Sequence, residues 1–73
     1  MSKNLTAIIQ AEPPGFVALC PQIDVASQGD TIEESLANLR EAVELFYECA
    51  SPTEVASREN GEVFITQLEV SLG

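Results

Sequence analysis

Histidine is absent from this chain, and lysine and arginine together number three. Without histidine the commonest general base of enzyme catalysis is missing. Cysteine is scarce as well: Cys20 and Cys49 stand 29 positions apart and form no CxxC pair. A thiolate–imidazole zinc site therefore lacks both its ligands and its spacing. Cys20 ends an apolar run with no basic neighbour in sequence to activate it as a nucleophile. Glu12, Asp24 and Asp30 border expected loops and carry the oxygen ligands that hard cations favour, but no spacing brings them together. Neither a G-x-G-x-x-G nor a P-loop pattern occurs. The expectation is a protein that is not an enzyme and holds no metal or cofactor.

The shortage of positive charge is equally restrictive. Lys3, Arg40 and Arg58 face twelve Asp and Glu, for a net charge of −9. Nucleic-acid binding rests on neutralising phosphates with Lys and Arg, so this chain alone is expected to bind neither DNA nor RNA. An acidic surface suits solubility or a basic protein partner. Long apolar runs are also missing, and nothing approaches the ~20 residues of a membrane-spanning helix. The start "MSKNLTAIIQ" has no signal-peptide core, which points to the cytoplasm, with both thiols free and behaving as small hydrophobes. Seventy-three residues make one domain, 1–73. A domain of that size buries only about 60% of its unfolded surface, so oligomerisation is an expected aid.

What the chain does have is periodicity. "NLTAIIQAE" (4–12) alternates as a strand, "PPG" punctuates it, and "FVALC" (16–20) is a second strand ended by Pro21. "DVASQG" (24–29) is a weaker third. In "GDTIEESLANLR" (29–40), Thr31 and Glu34 form an S/T-x-x-E capping box, and Asp30 with Glu33 offers the same logic one residue earlier. Ile32, Leu36, Leu39, Val43 and Phe46 then recur as one helical stripe to about Cys49, where Pro52 opposes continuation. "SPTEVASRENG" (51–61) reads as a loop with a turn at Asn60-Gly61. "EVFITQLEVSLG" reads as a last strand, with Phe64, Thr66, Leu68, Val70 and Leu72 on one face. The expected fold is α+β, in the order β-β-β-α-β, with one helix on a four-stranded, mainly antiparallel sheet. Leu5, Ile9, Val17 and Leu19 are expected to meet the helix. Ile8, Phe16, Ala18 and Cys20 then lie on a bare face, which favours a homodimer or higher homo-oligomer.

The helix carries a second pattern. Glu34, Glu41 and Glu48 recur every seven residues opposite the apolar stripe, with Glu44 between the last two. Glu41–Glu44 and Glu44–Glu48 are like-charge neighbours, each mildly unfavourable. Only Arg40 is near enough to offset them. A solvated helix face more often mixes signs, so this row is the candidate surface for a basic partner.

Pro21, Gly29, Asp30, Thr31, Glu34, Asn38, Glu41 and Ala42 together resemble the HicB antitoxin family, whose helix begins G-[DS]-[ST]-x-x-E-A-x-x-N-x-x-E-A after a strand ending in Pro. Ser35 stands where that pattern has Ala, and "PPG" where it has a "DG" turn. The resemblance implies a partial ribonuclease-H-like fold and a binding module that covers a small basic mRNA-cleaving toxin of HicA type. It also implies structural roles for Pro21, Gly29, Thr31, Glu34 and Asn38, with Gly29 freeing the backbone at the turn and Asn38 bonding a nearby loop. Many such antitoxins add a C-terminal DNA-binding domain, which is not expected within these residues. An orphan domain acting through oligomerisation is the alternative.

Overall fold

The fold begins from a two-residue reversal at Pro13 and Pro14. In the computed structural model, which describes residues 3–59 and 61–73, β1 (Ile8–Glu12) and β2 (Gly15–Cys20) run antiparallel about that turn. β3 (Val25–Gly29) pairs with the other side of β2, giving a three-stranded antiparallel sheet in the order β1-β2-β3. β1 starts at Ile8, so the leg 4–7 joins no ladder.

The turn decides which residues are inside. Glu12 pairs with Gly15 and Ile9 with Ala18, so every odd residue of β1 stands opposite an even residue of β2. Directly opposed residues share a sheet face. Ile9 therefore lies on the helix side, as expected, but with Phe16, Ala18 and Cys20. Val17 and Leu19 are on the open face with Ile8, which corrects the expected assignment for β2. Ala18, Cys20, Ile23 and Leu39 form the buried core, with Leu5, Ile9, Val25, Val43, Phe46 and Tyr47 packed around it.

Helix α1 (Ile32–Cys49) crosses this face. The stripe turned to the sheet includes Ser35, Leu39, Val43 and Phe46, whereas Ile32 and Leu36 lie at its margin, largely exposed. The start of α1 sits very close to the end of β3. A Cβ on Gly29 would meet the Ser35 backbone nitrogen at 2.6 Å and the Glu34 carbonyl carbon at 2.9 Å. Gly29 closes a strand and is required by this approach, not by a left-handed turn conformation. Ser35 is fully buried at the same contact and satisfies its hydroxyl by donating to the Ile32 carbonyl at 2.8 Å.

Two further differences from the expected fold are clear. Residues 52–59 form a second helix, α2 (Pro52–Glu59), where a loop was expected. Ser51 accepts from the Glu54 N–H at 3.1 Å, and Pro52 occupies the first helical position, where a missing N–H costs nothing. Of the expected Asn60-Gly61 turn, Asn60 lies outside the described residues. The segment 62–72, expected as a fourth strand, pairs with none of the described residues: Phe64, Leu68 and Leu72 are 83%, 85% and 90% exposed. Among the described residues the sheet has three strands and the fold two helices, in the order β-β-β-α-α, because the alternating segment joins neither edge of the sheet.

Candidate functional site

The outer face of α1 is built from its first turn. Thr31 is the N-cap, and its hydroxyl accepts from the Glu34 N–H at 3.0 Å. The Glu34 carboxylate reaches back one residue beyond the usual capping box and accepts from the Asp30 N–H at 3.3 Å. Glu33 and Glu34 also stand at the positive end of the helix dipole, where anions are favoured. Asn38 donates to the Gln28 carbonyl at 2.8 Å and so bonds β3 itself, where a loop was expected. Pro21 opens the turn after β2. Of the motif residues, Gly29, Thr31, Glu34 and Asn38 act on how α1 is seated, whereas Pro21 serves the turn after β2.

With α1 fixed, Glu34, Glu41, Glu44 and Glu48 lie together on the side away from the sheet, all exposed. Among the described residues none of the four makes an ion pair. The reason lies in where the cations are. Arg58, on α2, donates to the Ile23 carbonyl at 2.8 Å and lies over the Phe46 ring at 5.5 Å. Lys3 pairs with Glu59 and sits 5.1 Å from the Tyr47 ring centroid. Two of the three basic residues therefore hold α2 and the N-terminal leg against the fold. Arg40 is left near the acidic row.

The Lys3–Tyr47–Glu59 cluster has no signature in sequence, because its members are 44 and 12 positions apart. Hydrogen bonds from Lys3 and then Tyr47 hold the Glu59 carboxyl below its ordinary value. The bond to Glu59 raises the Lys3 ammonium. Tyr47 is raised first by desolvation and then by its bond to Glu59. A carboxylate with a depressed folded value adds stability above its unfolded value and loses it as pH falls through the folded one. Lys3, being raised, adds stability that is lost only on the alkaline side. Acidification, or Glu59→Gln, is therefore expected to loosen α2 while the sheet persists. Amide exchange is the check: protection over residues 52–59 should fall and that of β2 should not.

Among the described residues no three His, Cys, Asp or Glu side chains come close enough to hold a metal. Cys20 is buried, Cys49 exposed, and neither is in a disulfide. Nor, among the described residues, is any helix long and apolar enough to cross a membrane.

Fold and site together define a small helix-on-sheet protein with an acidic outer helix. Two curated relatives, both UPF0150 proteins of Synechocystis sp. (strain ATCC 27184 / PCC 6803 / Kazusa), are similar to it. One is 50% identical over 50 residues, covering 66% of this chain and 69% of the relative. The second is 43% identical over 47 residues, covering 62% and 60% respectively. The chain belongs to the UPF0150 family. No family model matches it, and no solved structure does.

Proposed function

We propose that this UPF0150 protein is an antitoxin-like binding module of HicB type, whose acidic helix face engages a small basic mRNA-cleaving toxin of HicA type. The observation that carries the reading is the row Glu34, Glu41, Glu44 and Glu48, exposed and without ion pairs among the described residues, while Lys3 and Arg58 are engaged elsewhere. Such a face raises the encounter rate with a basic protein and disfavours acidic ones. Resemblance of the residues from Pro21 to Ala42 to the HicB pattern supplies the toxin class. The seating of α1 by Thr31, Asn38 and Gly29 gives the face a fixed geometry.

Titrating the chain into a HicA-type ribonuclease and following RNA cleavage tests this. Cleavage should fall to zero near a fixed stoichiometric ratio; undiminished cleavage at excess chain would end the proposal. By the same charge argument, the chain alone should leave duplex DNA and RNA unshifted in a polarisation assay at physiological salt. Micromolar binding there would contradict it.

A role exercised through self-association is favoured by a different observation, the exposed apolar side chains of residues 62–72.

A further inference from the structure

Residues 62–72 carry the alternation of a strand but join no sheet among the described residues. Phe64, Thr66, Leu68, Val70 and Leu72 alternate with Val63, Ile65, Gln67, Glu69 and Ser71, the period of a chain with one buried face. Yet the whole segment is exposed. The cost appears in global dimensions. The radius of gyration is 14.4 Å, whereas a compact chain of this length has about 11 Å. The accessible surface is 5965 Å², against about 4,400 Å² for a compact monomer of this mass. The surplus is about twice what one partner of a standard protein interface buries, about 800 Å².

The same chain carries an acceptor. α1 packs over β3 and β2 and hardly reaches β1. Beside it, between the N-terminal leg and α1, lies a groove of about 750 Å³ lined by Leu5, Ala7, Leu36, Val43, Tyr47 and Val55. β1 is an edge strand, and among the described residues no other strand or loop bonds its outer backbone groups. β3, the opposite edge, is less open, because Asn38 already bonds its Gln28 carbonyl.

We infer that residues 62–72 of one copy add as a strand along the leg and β1 of a second copy. Their Phe64, Leu68, Val70 and Leu72 face fills that copy's groove, and the exchange is reciprocal. A second copy is the occupant because the chain supplies both halves of the contact, and a twofold exchange covers both segments and both grooves at once. The same addition covers the open edge of β1, which otherwise invites non-specific pairing.

Sedimentation equilibrium of the full chain, with isotope-filtered NOEs on a mixture of labelled and unlabelled chains, tests this. The expected result is a mass twice the monomer's 7.8 kDa, with intermolecular NOEs from Phe64 and Leu68 to Ala7 and Leu36. Leu68→Asp should weaken dimerisation by about 30-fold or more, the scale of losing an interface hot spot, with the helical circular dichroism unchanged. Ala26→Glu, on the open sheet face, should leave the dimer intact. A concentration-independent monomer, a dimer indifferent to Leu68→Asp, a dimer broken by Ala26→Glu, or purely intramolecular NOEs would each overturn the inference.

Discussion

Replacing Gly29 by Ala is expected to lower the melting temperature by roughly 10 °C or more, a large loss for one methyl group. The new Cβ would sit 2.6 Å from the Ser35 nitrogen and 3.0 Å from the Glu34 Cβ. Two of its three nearest neighbours are backbone atoms of the first turn of α1, which no side-chain rotation can move aside. The helix start would have to lift from β3, straining the Thr31 cap and the Asn38 bond to Gln28. Overpacking of this kind costs about 1–3 kcal/mol. A domain of this length has only about 4–11 kcal/mol in total, and each kcal/mol corresponds to about 4–8 °C. Gly61→Ala is the matched control, since nothing lies within 4 Å of its Cβ position. It should leave the melting temperature unchanged. Equal effects at the two glycines would show that the approach of α1 to β3 is not what Gly29 serves.

The parts of this fold that were legible in sequence are those encoded by near neighbours. Thr31 and Glu34 announce the start of α1 because a capping box spans four residues. The exposed glutamate row could be read because helical spacing converts sequence intervals into a face. α2 was equally legible: Ser51, Pro52 and Glu54 form the same S-x-x-E signature with Pro at the first helical position. Pro52 acts twice, opposing continuation of α1 and opening α2, and only the first role was expected. Parity in β2 is encoded locally too: Pro13 and Pro14 make a two-residue turn, and the face of every β2 residue follows from that length. The fourth strand failed for another reason. Alternation in 62–72 reports a face that favours burial but not where its partner is. The Lys3–Tyr47–Glu59 cluster and the Arg58 bond to Ile23 lie beyond any local reading, since they follow from where α2 folds back.

The second large effect concerns the acidic face. Changing Glu41 and Glu48 together to Lys should slow association with a HicA-type toxin by about 10-fold or more at low ionic strength, within the range that electrostatic steering spans. Both side chains are exposed and unpaired among the described residues, so the fold loses no contact. Relief of the Glu41–Glu44 and Glu44–Glu48 repulsions should leave α1 slightly more stable. A slower association therefore cannot be assigned to unfolding. Glu34→Lys is the less suitable probe, because its carboxylate also bonds the Asp30 N–H.

Stopped-flow association of the unaltered chain and the Glu41→Lys, Glu48→Lys double variant with a HicA-type toxin, measured across ionic strength, bears most directly on the acidic face as a binding surface. The unaltered chain should associate faster at low salt, and its rate should fall steeply as salt shortens the Debye length from about 30 Å at 0.01 M to about 3 Å at 1 M. The double variant should start lower and meet it at high salt. Two superimposable curves, or rates independent of salt, would contradict the assignment of this helix face to a basic partner.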